Sequence, residues 1–172
     1  MIQFVKLDRN YIQSVYNNID KEIMINHTET GVEKDRLNAL LVRMKYKDKN
    51  REFVVPLSHA IKTDKNHSQT YFPLDNFDTK NRRVGGLFFK KCLPVNKNVY
   101  EVVKIRKPHY ISLAKLINAK EKEIINSFKI YLSEYVSKQN AGKTFNFSTD
   151  IDKILQFLDE NYGGYCSLSA TH

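Results

Sequence analysis

The residues best suited to chemistry lie in one short stretch. The apolar run Phe53-Val54-Val55 ends at Pro56, and Leu57, Ser58, His59, Ala60, Ile61 and Lys62 follow at once. A proline cannot donate to a sheet ladder, so Pro56 marks the end of a strand. The segment after it is expected to be a polar, cationic loop. A hydroxyl, an imidazole and an ammonium within five positions suit the handling of an anion. An ordinary solvated loop after an edge strand has the same composition.

The charge balance points the same way. Lys and Arg number 28 against 19 Asp and Glu, for a net charge of +9. That favours a polyanionic partner, of which nucleic acid is the commonest. A lysine-rich surface that serves only solubility is the alternative. The 172 residues suit a single domain, 1–172, with a possible flexible tail over 165–172. At 41% hydrophobic and 12% aromatic residues the chain is globular and not disordered. No apolar run approaches the length of a membrane span. The first residues lack the layout of a signal peptide. Cys92 and Cys166 make neither a metal-ligand spacing nor a disulfide framework, so a reducing, cytoplasmic setting is expected. No Gly-rich phosphate loop, His/Glu/His metal signature or Ser/His/Asp order is present. Nucleoside triphosphatase, metallohydrolase and serine hydrolase readings are set aside, and no cofactor or metal is expected.

The elements that must position these residues follow from periodicity. Residues 2–7 alternate as a strand, with Ile2 and Phe4 on one face. Asp8 is a good N-cap for a helix over 9–19, where Tyr11, Ile12, Val15, Tyr16 and Ile19 share a face. A polar loop over 21–31 precedes a buried strand over 37–46, a turn over 47–50 and an antiparallel return over 51–55. A short extended piece at 71–74 and a basic loop at 75–83 lead to Gly85-Gly86, which permits a tight path. Residues 87–95 read as one strand that Pro94 ends or bends, and 100–103 as another. Helices are expected over 112–119, running on into 121–139, and over 149–161. Ile124, Ile125, Phe128, Tyr131, Leu132 and Tyr135 form the stripe of the long one. The layout is α+β: antiparallel strands first, then a helical C-terminal half.

With these residues in place, the sequence resembles the ToxN/AbiQ family of endoribonuclease toxins from type III toxin–antitoxin systems. A short strand leads into a helix bearing Asn10-Tyr11-Ile12. A hydrophobic hairpin ends in Val55-Pro56-Leu57-Ser58, with Lys62 soon after. The segment from Leu87-Phe88-Phe89 to Pro94-Val95 is similar to the family's next core strand. The likeness is sharpest over residues 37–95. It departs from the family's usual Pro-Leu-Thr/Ser-Ser-Pro-Lys: His59 and Ala60 stand where Ser and Pro are usual, and Ile61 where the Lys is usual.

The resemblance implies a twisted antiparallel sheet related to the MazF/Kid toxins, with surrounding helices. It implies a metal-independent nuclease that cleaves single-stranded RNA to 2′,3′-cyclic phosphate and 5′-hydroxyl ends. It further implies a repeat RNA antitoxin, processed and held by the toxin in a closed toxin–RNA assembly, and a role in phage resistance by abortive infection. In such a reaction His59 suits acid/base work, Lys62 charge stabilisation, and Ser58 a hydrogen bond to phosphate or to the 2′-hydroxyl. Tyr11 is expected to touch phosphate or to stack on a base, or else to cover the core. Lys34, Arg36, Lys65, His67, Arg82, Arg83, Lys90 and Lys91 are the expected RNA-backbone contacts. Lys104, Arg106 and Lys107 form a separate basic cluster before Pro108-His109-Tyr110. The alternative reading is a non-catalytic RNA- or DNA-binding module.

Overall fold

The computed structural model describes residues 2–24, 38–62, 68–75 and 83–163. The first strand is β1, Phe4–Leu7, and the first helix is α1, Arg9–Asn18. Asp8 caps α1 as its sequence predicts, with Oδ1 accepting the Tyr11 backbone N–H at 2.8 Å. Strands β2, Asn38–Tyr46, and β3, Lys49–Val55, form the expected hairpin in register from Leu40↔Val55 to Tyr46↔Lys49. Its turn is tighter than 47–50. Only Lys47 and Asp48 connect the strands, at φ 44° and 65°. Positive φ at both central residues matches the twist of the flanking strands.

The chain continues through β4, Leu57–Lys62, β5, Phe72–Pro73, β6, Arg83–Leu87, β7, Leu93–Val95, and β8, Tyr100–Val102. Helices α2, Pro108–Ala119, α3, Glu121–Asn140, and α4, Ile151–Tyr162, make the C-terminal half helical. Lys120 breaks α2 from α3, and Asp150 caps α4. The result is a mixed α/β fold with two antiparallel sheets. One has the order β7-β3-β2-β1-β8 and the other β4-β6-β5.

Two expectations are corrected here. Residues 57–62 are strand and not loop, and residues 87–95 are not one strand. Both differences have one cause. At Pro56 the chain leaves the larger sheet and re-enters a ladder in the smaller one, pairing β4 with β6. The antiparallel chain makes the reverse crossing. It leaves β6 at Leu87, passes a 3₁₀ turn at Phe89–Lys91, and joins β3 as β7. The crossings meet where the Phe88 N–H donates to the Pro56 carbonyl at 2.9 Å. Pro56 has no N–H to lose, so it sits at the joint without a broken bond.

The larger sheet is buried on both faces. Phe53 and Val55 face a core with Phe89, Phe128, Tyr131 and Ile124. Val54, between them, faces a second core with Val5, Tyr11, Leu93, Ile154 and Leu158. Alternation sends neighbouring side chains to opposite faces, which is why the run Phe53-Val54-Val55 is apolar without a break. Helix α4 is fastened over the second core. Arg51 makes two hydrogen bonds of 2.6 Å to Asp159, and Lys47 reaches Asp152 at 2.8 Å. The Cys92 thiol is buried and its pKa is pushed up to about 12 by burial. It is a packing residue.

Candidate active site

Strand β4 carries the residues singled out by sequence. Ser58 lies opposite Gly86 on β6, Ile61 opposite Val84, and Lys62 opposite Arg83. Three steps on β4 face two on β6, so a bulge lies between Ser58 and Ile61. Ile61 is buried and anchors the strand beyond the bulge. The Pro56–Phe88 joint fixes where Ser58 stands, two residues past the crossing. Ser58 itself is half-buried. Its cross-strand partner must be glycine. A Cβ on Gly86 would run into the Phe72 carbonyl of β5, because β5 pairs with β6 at that point.

The register thus brings the backbones of Ser58, His59, Lys62 and Arg83 to one strand pair. It places β4 at the edge of the smaller sheet among the described residues. A hydroxyl, an imidazole and two cations on one bulged strand pair have the donor types that handle a phosphate. Lys34, Arg36, Lys65, His67 and Arg82 lie outside the described residues.

Three expected site residues have other duties. Tyr11 has no exposed surface, and its hydroxyl donates to the Pro94 carbonyl at 2.6 Å. Its ring packs against Phe157 and edge-on to Tyr162. Burial, with a smaller contribution from Tyr162, raises its pKa well above the usual phenol range. Tyr11 therefore ties α1 to β7 and meets no phosphate. Lys91 reaches the Glu22 carboxylate at 2.6 Å and the Glu22 carbonyl at 2.7 Å. It fastens the segment after α1 to the 3₁₀ turn. Lys90 donates to the Asn146 carbonyl at 3.2 Å, and partial burial followed by repulsion from Lys91 lowers its pKa.

Tyr11→Phe is expected to lower stability by about 1–2 kcal/mol in urea unfolding, since it strands a buried carbonyl. An unchanged unfolding midpoint would show that this bond contributes nothing.

Sequence reasoning did not single out the cleft of about 720 Å³ beside the β2–β3 hairpin, lined by Arg43, Arg51, Glu52, Asn96 and Lys97. Its two arginines are committed, Arg43 to Glu52 at 2.6 Å and Arg51 to Asp159. Those bonds leave the cleft less cationic than its residue types suggest.

No family model matches the chain, and no curated protein matches it. Solved structures do. One comes from work on bacterial type III toxin–antitoxin systems, in which a non-coding RNA pseudoknot selectively inhibits the toxin. It superposes with a TM-score of 0.63 and 19% identity, over 95% of this chain and 98% of that one. A second, from work on a processed non-coding RNA that regulates a bacterial antiviral system, gives a TM-score of 0.63 at 15% identity. It covers 96% of this chain and 99% of that one. The chain therefore has the fold of the ToxN toxins of type III toxin–antitoxin systems.

Proposed function

We propose that this chain is the endoribonuclease toxin of a type III toxin–antitoxin system. The observation that carries the proposal is the match of fold from end to end, over 95–96% of this chain and 98–99% of its neighbours. The net charge of +9 and the residue types on β4 support it. Kinship of the sheets to MazF/Kid toxins and a cytoplasmic setting belong to the same reading.

In this reading the substrate is single-stranded RNA. Its own 2′-hydroxyl attacks the adjacent phosphorus, and the 5′-oxygen leaves. The bond from phosphorus to O2′ forms as that to O5′ breaks, giving a 2′,3′-cyclic phosphate and a 5′-hydroxyl. The protein must take one proton, supply another and stabilise the extra negative charge between those events. His59 carries the proton transfer, Lys62 and Arg83 stabilise the charge, and Ser58 orients the reacting group. No step needs a metal. The repeat RNA antitoxin occupies the same site, its cleaved end at Ser58 and Lys62, in a closed toxin–RNA assembly.

The purified protein is expected to cut RNA in excess EDTA and to leave cyclic phosphate ends. Loss of all cleavage on chelation would overturn the metal-independent mechanism. RNA that is bound but never cut would favour the non-catalytic binding module. Tyr11→Phe should cut as fast as the parent protein.

A further inference from the structure

Residues 102–120 contain no Asp or Glu but hold Lys104, Arg106, Lys107, Lys115 and Lys120. They run from the end of β8, an edge strand of the larger sheet, along α2. Lys104, Arg106, Lys107 and Lys115 are exposed, and among the described residues none of them is in an ion pair. Elsewhere cations hold the fold together: Arg51 on Asp159, Lys47 on Asp152, Lys91 on Glu22. Of the band's five cations only Lys120, at its far end, is in an ion pair among the described residues, with Glu123 at 3.8 Å.

Its other side chains suit a nucleic acid. The His109 and Tyr110 rings lie 3.9 Å apart at the start of α2, and His109 is exposed. Further along the same helix Ile111 and Leu116 are 40% and 37% exposed. Cations interleaved with accessible rings bind phosphates and stack bases at once.

The placement gives the band a direction. At its far end the Lys120 ammonium lies 5.9 Å from the ring of Phe72, on β5 of the smaller sheet. Asn118 accepts the Ile2 backbone N–H at 3.2 Å, which fixes that end of the helix. A helix of 12 residues is about 18 Å long, so the band reaches from the β8 edge to the sheet that carries β4.

We propose that residues 103–107 and α2 form an RNA track, a second binding surface that ends at β5, across the smaller sheet from β4, and is occupied by RNA that extends beyond the cleaved bond. The proposal rests on the reading of the chain as an RNA-cleaving toxin. The track adds affinity for long RNA and leaves the chemistry on β4 untouched.

Two non-cleavable 2′-O-methyl RNAs of mixed sequence, about 6 and about 24 nucleotides long, test it. The variant K104E/R106E/K107E is expected to bind the long RNA about 30-fold more weakly and the short RNA as before. Its log–log salt slope for the long RNA should fall by about 2, near 0.7 per lost phosphate contact. H109A/Y110A should weaken the long RNA about tenfold with the slope unchanged, the signature of lost stacking. Long RNA bound equally by the parent and by both variants would overturn the track. So would a triple variant that keeps RNA and loses binding to phosphatidylserine vesicles, which would make the band a lipid surface. Loss of an acidic protein partner with RNA binding intact would overturn it too. If the parent protein cuts no RNA and binds neither length, the toxin reading fails and the track with it. If the parent cuts RNA and the triple variant binds the long RNA normally, the track alone fails.

Discussion

Ser58→Ala is expected to end growth arrest on expression and to slow RNA cleavage about 100- to 1,000-fold, the scale of loss when one positioned hydrogen-bonding group leaves an active site and the reacting group loses its orientation. The fold should survive. Ser58 is half-buried opposite a glycine and belongs to neither core, so the change opens no cavity in them. Losing one half-buried hydroxyl costs about 0.5–1.5 kcal/mol, well short of unfolding a typical domain. Circular dichroism melting beside a cleavage time course separates the two effects. An alanine variant that stays fully toxic at equal expression would place the chemistry away from β4.

Phe128→Ala should do the opposite. It leaves β4 intact and removes the residue on which the first core converges. Phe128 is fully buried, 5.6 Å from the ring of Phe53 and 5.2 Å from that of Phe89. One side chain thus joins α3, β3 and the 3₁₀ turn. Truncating such a ring costs about 3–5 kcal/mol, through lost transfer energy and the void left behind. That is a large part of the about 5–15 kcal/mol that holds a typical domain. Ile130, two residues along α3, is 50% exposed. Ile130→Ala is expected to change stability by about 0.5 kcal/mol at most. Urea unfolding of the pair measures the contrast, and equal costs at the two positions would contradict this core.

What could be read in advance was local. The Asp8 cap, the hairpin and the stripe of α3 depend on residues a few places apart, and all three are present. The crossing between sheets was invisible. A strand's alternation does not record which sheet it joins, and Pro56 reads as an end whether a loop or a second strand follows. Strand β4 also hides its pattern. The bulge between Ser58 and Ile61 resets the alternation that would have marked it as strand. Tyr11 was misplaced for another reason. Helical spacing shows that a residue shares a face with Val15, but not whether that face meets solvent or the Phe157 and Tyr162 rings of α4. The cations at 90 and 91 read as a basic surface, because the acceptors that hold them, on Asn146 and Glu22, come from distant parts of the chain.

The position of β1 has a consequence for synthesis. The first strand of the chain is an interior strand of the sheet. Val5 pairs with Asn38 on one side and with Val102 on the other. A ribosome adding about 5–20 residues per second takes about 3–13 seconds to make the chain from Asn38 to Val102. Until then β1 has one neighbour at most, and the Tyr11 hydroxyl waits for Pro94. Closing ladders between such distant segments is slow, because the loop entropy is lost before the contacts form. A ribosome stalled in that interval holds a chain whose first strand is an open edge, the form most prone to pair with a neighbouring nascent chain.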